Sequence, residues 1–277
     1  MGSIMADVTI SQWMEIPSEI GDGRVFVVGD VHGMSRHFEA ILEAMSTEAR
    51  GLGELVLLGD LIDRGPDGVA CLRLAAQPAE KLGFARKTLL IGNHELLMLE
   101  AMRPGPRQLS ALQIWAGNGG GEMLLEVGLL PYKADESLPV LDRVIRDALG
   151  AEVMAMLDDA ASHREVGNVL FVHGGIDPDV PIEEWFSRPW LPIGKEADHF
   201  AWVRGPFLHH QGPFEGGRLV VHGHSPENRV MEWKGYPQNR AHMLDGWRLG
   251  LDGGTVVTGR VVGAEIRTGR YRLYAAS

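Results

Sequence analysis

The sequence predicts an α/β fold. Three observations carry this reading: apolar runs rich in β-branched residues recur along the chain, helical patterns separate them, and the runs end in polar clusters flanked by glycine. The first run, Val25-Phe26-Val27-Val28, leads into Gly29-Asp30-Val31-His32-Gly33, and residues 36–50 then read as a crossover helix. The second, Leu55-Val56-Leu57-Leu58, leads into Gly59-Asp60-Leu61-Ile62-Asp63-Arg64-Gly65, followed by a helical pattern over 67–77. The third, Thr88-Leu89-Leu90-Ile91, ends in Gly92-Asn93-His94-Glu95. From Glu95 to about His163 the chain is rich in Leu, Met and Ala at helical spacing (Leu141, Val144, Ile145, Ala148, Leu149), with Pro104, Pro106, Pro131 and Pro139 as punctuation. A single domain over 1–277 with a helical insertion at about 95–165 is expected.

Strand signals return at Val169-Leu170-Phe171-Val172, before His173-Gly174-Gly175, and at Leu219-Val220-Val221, before His222-Gly223-His224-Ser225-Pro226. Short runs around Arg229–Trp233, Trp247–Leu251, Val256–Val262 and Arg270–Tyr274 predict an antiparallel meander. Segment 177–217, with many Pro, Trp and Gly residues, predicts a long function-bearing loop with Trp185 and Trp190 exposed in it.

Composition narrows the function. The formal net charge of −11 disfavours a nucleic-acid surface. No stretch approaches the ~20 apolar residues of a membrane span, and no secretory signal is evident. Cys71 is the one cysteine, so no intrachain disulfide forms; a buried, structural Cys71 and a reducing, cytoplasmic compartment are expected.

The polar clusters carry the chemistry. Hard oxygen donors (Asp30, Asp60, the Asn93 amide) mixed with imidazoles (His32, His173, His224) suit divalent ions such as Mn, Fe or Zn. Without thiolates, a closed structural zinc site is disfavoured. Asp30 and His32, at i and i+2 of an extended segment, point the same way and can reach one ion. Asp60, on the next strand end, has oxygens for two ions, and Asn93, His173 and His224 would complete the second.

The ordered series GDVHG, GDLIDRG, GNHE, HGG and GHS resembles the PPP metallophosphatases, the family of serine/threonine protein phosphatases, phage-type phosphatases and symmetrical diadenosine tetraphosphate hydrolases. The resemblance covers residues 29 to about 226. It implies a calcineurin-like metallophosphoesterase fold: a central β-sandwich of mixed sheets flanked by helices, with the site at strand ends. It implies two divalent metal ions, manganese first and iron or zinc next, one held by Asp30, His32 and Asp60 and the other by Asp60, Asn93, His173 and His224. His94 resembles the general acid and Asp63 the carboxylate that orients it. Arg64 and, in a looser motif, Arg204 resemble the phosphate-binding arginines, with Asn93 also facing the phosphate. Glu95 and His222 are expected to be structural, and His199, His209 and His210 to be exposed loop residues. Trp115 with Asn118-Gly119-Gly120 resembles a signature of phage-type and bacterial members; it would either position Asn118 near substrate or end a helix.

The resemblance implies hydrolysis of phosphoserine and phosphothreonine monoesters in proteins as the first expectation. Hydrolysis of a dinucleoside polyphosphate is the alternative, and a non-catalytic binding module a third reading, disfavoured because no ligand or acid is missing. Expected partners are a phosphoprotein or a phosphorylated small molecule, with no nucleic acid and no membrane. The eukaryotic Ser-Ala-Pro-Asn-Tyr motif is replaced by Leu251-Asp252-Gly253-Gly254, so no regulatory subunit of the eukaryotic kind is implied.

Overall fold

A computed structural model describes residues 6–131, 136, 138–192, 198–226, 243–244 and 246–277. The strands are β1 (Val8–Ile10), β2 (Met14–Glu15), β3 (Val25–Val28), β4 (Glu54–Leu57), β5 (Arg86–Leu89), β6 (His163–Val166), β7 (Val169–Val172), β8 (Leu219–His222), β9 (Met243–Leu244), β10 (Arg248–Gly250), β11 (Val261–Arg267) and β12 (Arg270–Ala276). Among the described residues they form two mixed sheets. One runs β1-β12-β11-β3-β4-β5 with β2 paired to β12; the other runs β6-β7-β8-β10-β9.

The two-residue side-chain period explains how the sheets pack. On β3, Val25 and Val27 join Val56, Val169, Phe171, Leu219, Val221 and Leu249 in one buried cluster drawn from both sheets. Their neighbours Phe26, Val28, Leu55, Leu57, Leu170 and Val172 belong instead to a second cluster shared with the helices. Both faces of the central strands are thus apolar, and the expected sandwich with helical flanks is present. Helices α1 (Ser35–Ala49) and α2 (Gly68–Ala75) follow β3 and β4, α2 burying Cys71. After β5 come α3 (Asn93–Met102), α4 (Gln108–Trp115), α5 (Gly121–Glu126), α6 (Leu141–Leu149) and α7 (Ala151–Asp158), which fill the helical stretch read from the sequence. None of the described helices is long and apolar enough to cross a membrane.

The C-terminal third departs from the predicted meander. Strand β10 pairs parallel to β8, whereas β11 and β12 form a hairpin that joins the other sheet, β11 lying antiparallel to β3. The run Val256–Val262 is not one strand: Thr255–Thr258 is a helical turn bracketed by Gly254 and Gly259, both left-handed, and β11 begins only at Val261. The expected run Arg229–Trp233 lies outside the described residues.

A charged cluster ties the hairpin to β3. Glu265, fully buried, accepts hydrogen bonds from Arg24 (2.9 Å), Arg267 (2.8 Å) and Arg272 (2.9 Å). Burial alone would raise its pKa, but the three guanidinium groups outweigh burial and hold it below its ordinary value of 4.5. A depressed carboxylate pKa stabilises the fold above the unfolded value, and that stabilisation is lost as pH falls through the folded one. Glu265→Gln is therefore expected to destabilise by about 2–3 kcal/mol near pH 7, less than a fully buried pair because water still reaches the arginines. In urea unfolding the deficit should shrink as the pH is lowered below the ordinary carboxylate range; an equal deficit at neutral and acid pH would rule out carboxylate charge as its source.

Candidate metal centre

The two sheets bring the polar clusters together. β3, β4 and β5 are mutually parallel, as are β7, β8 and β10, so each set delivers its carboxyl ends to one edge. Asp30, Asp60 and Asn93 come from the first set, and His173, His224 and Asp252 from the second. Such close convergence of backbones requires glycine: a Cβ on Gly59 (φ +96°) would lie 2.4 Å from the Gly92 nitrogen, and one on Gly223 2.2 Å from Asp30 Oδ1. Among the described non-glycine residues, positive φ occurs at His32, Asp60, Asp63, Arg64 and His224, all in the clusters, and at Arg50, a helix cap. Such strain persists where the surroundings over-determine it. Glu95 does that for Asp60, accepting from the N–H groups of Asp60 (2.9 Å), Leu61 (2.7 Å) and Gly92 (3.1 Å).

Each of the three predicted ligand histidines hands its outer proton to a backbone carbonyl. His32 Nδ1–H donates to Ile62 O (3.0 Å), His173 Nδ1–H to Leu58 O (2.8 Å) and His224 Nε2–H to Trp202 O (3.2 Å). The opposite nitrogens then point inward, the orientation a metal ligand needs. His32 Nε2 lies 3.9 Å from both Asp30 Oδ2 and Asp60 Oδ2. His173 Nε2 lies 3.3 Å from Asp60 Oδ1 and 3.0 Å from Asn93 Oδ1, and His224 Nδ1 is 2.8 Å from the same amide oxygen. Donor atoms of Asp60, His173 and His224 fall within 4.8 Å of one another, as do those of His32, Asp60 and His94. Asp30 is oriented by the His224 N–H, 3.0 Å from Oδ1.

The electrostatics point to cations. Burial, then Asp252 and Asp60, raise the pKa of Asp30 well above the carboxylate range. Burial and Asp60 push Glu95 up to about 7, and burial with Asp60 pushes Asp252 up to about 6. Burial opposes a charged His173, yet Asp60, Asp30 and Glu95 raise it to about 9. Crowded carboxylates thus draw positive charge, as a second proton on His173 or as a cation in its place, to the point where imidazole nitrogens and an amide oxygen meet. Divalent cations fit this donor set, with Asp60 facing both groups.

His94 is placed differently from the ligand histidines. Its Nδ1 is tied to Asp63 Oδ2 (2.7 Å), a carboxylate rather than a carbonyl, while its buried Nε2 has no hydrogen-bond partner and lies 3.9 Å from Asp60 Oδ2. Arg64 donates to His32 Nε2 (2.8 Å) and Arg204 to His224 O (3.2 Å), and both line a cavity of about 360 Å³ with His32, Asp60, His224 and Asp252. All the predicted site residues are therefore brought to one place.

Three positions, His199, Trp185 and Trp190, read differently from the sequence. His199 is buried, not exposed: Nδ1 accepts the Ala201 N–H (3.1 Å), Nε2–H reaches Trp190 O (3.3 Å), and burial lowers its pKa to about 4. Trp185 is buried too, donating to Gly175 O (3.1 Å), and Trp190 is partly buried. Of the two readings left open for Asn118, the helix-ending one fits: its amide turns back onto Ile114 O (2.8 Å), and the residue does not line the cavity. Two site residues escaped the sequence reading. Asp252 sits inside a glycine-rich turn, and Trp115 donates its indole N–H to Asp63 Oδ2 (2.8 Å), a contact that spacing along the chain cannot reveal. His222 is buried with Nδ1–H on Gly223 O (3.0 Å) and stands apart from the converging donors.

The family model for calcineurin-like phosphoesterases matches residues 23–251, the span that holds all of these side chains. The chain belongs to the calcineurin-like phosphoesterase family. Curated relatives of the chain include the symmetrical bis(5'-nucleosyl)-tetraphosphatase of Chromohalobacter salexigens, 40% identical over 221 residues, covering 78% of this chain and 63% of the relative. The protein of the same name from Glaesserella parasuis is 35% identical over 227 residues, 82% of this chain and 64% of the relative. Serine/threonine-protein phosphatase 1 of Salmonella typhimurium is 38% identical over 97 residues, 35% of this chain and 38% of the relative. The chain thus spans less than two thirds of the length of these relatives. A cold-active protein-tyrosine phosphatase from a psychrophilic Shewanella shares the fold, with a TM-score of 0.53 at 16% identity, covering 91% of this chain and 80% of that one. The motif resemblance to PPP metallophosphatases is borne out by these likenesses, and the clustered donors lie within the matched span.

Proposed function

We propose that this phosphoesterase hydrolyses dinucleoside polyphosphates of the diadenosine tetraphosphate type. The observation that carries the reading is the breadth of the likeness: two tetraphosphatases, at 40% and 35% identity, align over about four fifths of the chain, whereas serine/threonine-protein phosphatase 1 aligns over about a third. This reverses the order expected from the motifs, which are common to both classes. The cavity agrees with it. Its lining is charged at Arg64, Arg204 and Asp252 and apolar at Pro226, Val256 and Val257, the last 83% exposed. A polyphosphate needs the first, and a nucleoside gains from the second. The Val256–Val257 side is anchored to the ligand cluster, because Thr255 Oγ–H donates to Asp30 O (2.7 Å).

Asp30, His32 and Asp60 would hold one divalent ion and Asp60, Asn93, His173 and His224 a second, manganese being the first candidate. Such a pair supplies Lewis acidity and lowers the pKa of a water toward neutrality. The protein's own groups do the rest. Arg64 and Arg204 grip phosphoryl oxygens and fix the phosphorus in place. Asp63 holds the His94 ring, and Nε2–H of His94 donates the proton that the leaving oxygen requires.

The 38% identity of the shorter protein-phosphatase alignment supports phosphopeptide hydrolysis as a second reading. The test is kcat/KM of the Mn²⁺-loaded protein on diadenosine tetraphosphate and on a panel of phosphoserine and phosphothreonine peptides. The dinucleotide is expected to exceed the best peptide by about two orders of magnitude, the discrimination that a few pocket contacts provide. A peptide that matches or outruns the dinucleotide would replace the first reading with the second.

A further inference from the structure

We infer that the turn from Trp115 to Gly120 is a clamp that sets the Asp63–Arg64 pair, with Trp115 and Gly119 as positioning residues for proton donation and phosphate capture. The inference rests on the reading of His94 as proton donor and Arg64 as phosphate ligand. It adds residues that touch neither metal nor substrate.

The clamp has two arms. In the first, the fully buried Trp115 donates Nε1–H to Asp63 Oδ2 at 2.8 Å, the oxygen that also contacts His94 Nδ1 at 2.7 Å. Asp63 Oδ1 is buried with no partner, so rotation of this carboxylate is restrained through Oδ2 alone. Without the indole N–H, the one remaining hydrogen bond to the carboxylate would come from the ring it must orient. Main chain closes over the indole: a Cβ on Gly120 would lie 2.5 Å from Trp115 Nε1.

In the second arm, the turn's carbonyls grip Arg64. Its backbone N–H donates to Gly119 O (3.0 Å) and its Nε–H to Asn118 O (3.4 Å). Asp63 and Arg64 both have positive φ, 69° and 68°, conformations that side-chain-bearing residues rarely hold unaided. Gly119 itself has φ 107°, and a Cβ there would lie 2.5 Å from Arg64 Cγ. The π-helical winding of Ala116–Gly120 places these carbonyls over Arg64. Arginine reads phosphate through a planar fork, so displacement of its stem misaims both donors.

The test uses Trp115→Phe and Gly119→Ala in the metal-loaded full chain, with His94→Asn as reference. Each is assayed on phenyl phosphate, whose leaving group needs a proton, and on p-nitrophenyl phosphate, which needs one far less. Competitive inhibition by inorganic phosphate is measured alongside metal content. Trp115→Phe is expected to lower kcat on phenyl phosphate roughly 10-fold or more while changing p-nitrophenyl phosphate turnover less than about threefold. Gly119→Ala is expected to raise KM and the phosphate inhibition constant roughly 10-fold, with a smaller change in kcat. Equal losses on both substrates for Trp115→Phe at full metal content would reduce Trp115 to a packing role. An unchanged phosphate inhibition constant in Gly119→Ala would remove the second arm. If His94→Asn itself shows no leaving-group dependence, the general-acid reading fails and takes the first arm with it. If His94→Asn shows that dependence and Trp115→Phe does not, the first arm alone is wrong.

Discussion

Replacing His94 with Asn is expected to lower kcat on phenyl phosphate by ~10²- to 10⁴-fold, the usual contribution of a positioned general acid. The cause is the asymmetry of this imidazole. Nδ1 is bound to a buried carboxylate, whereas Nε2 is buried without a partner. A buried polar atom left unsatisfied costs stability, and such groups are retained where they have work to do. Asn keeps the size and polarity of the site but has no transferable proton. Metal content should stay at the wild-type level, because the predicted ligands are untouched. Near-wild-type turnover on phenyl phosphate would remove His94 from the chemistry.

Asp60→Asn is the second large effect, with kcat expected to fall at least ~10³-fold, since loss of even an outer-shell partner costs roughly 10–100-fold. Asp60 faces His32 and His94 at 3.9 Å and His173 at 3.3 Å, so its carboxylate stands between the two groups of donors. Burial would raise its pKa, but the surrounding imidazoles, His173 foremost, hold it well below the carboxylate range. A neutral amide removes that charge while leaving the backbone bonds to Glu95 in place. The variant should therefore fold, as checked by its melting curve, and lose metal, as checked by elemental analysis. Full metal occupancy in Asp60→Asn would count against the shared role.

The legible part of the sequence was where local pattern and site coincide. Asp30, Asp60, Asn93, His173 and His224 each follow a run of apolar strand residues, so periodicity alone places them at strand ends. What stayed hidden depends on tertiary packing. The β-branched Val256 and Val257 read as strand, yet left-handed Gly254 and Gly259 close a helical turn around them. His199 and Trp185 sit in a stretch without periodicity, where burial has no sequence signature, and both are buried. Asp252 is disguised by the turn glycines beside it. Trp115 lies 52 positions from the carboxylate it serves. The C-terminal strands were readable as strands but not as members of two different sheets, because register across a sheet is set by partners far away in the chain.

Two sets of donors sharing one carboxylate, Asp60, define the centre. Chelator-treated protein titrated with Mn²⁺ and followed by calorimetry measures this directly. Two ions per chain are predicted, with the melting temperature rising as they bind. Saturation at one ion per chain would contradict it.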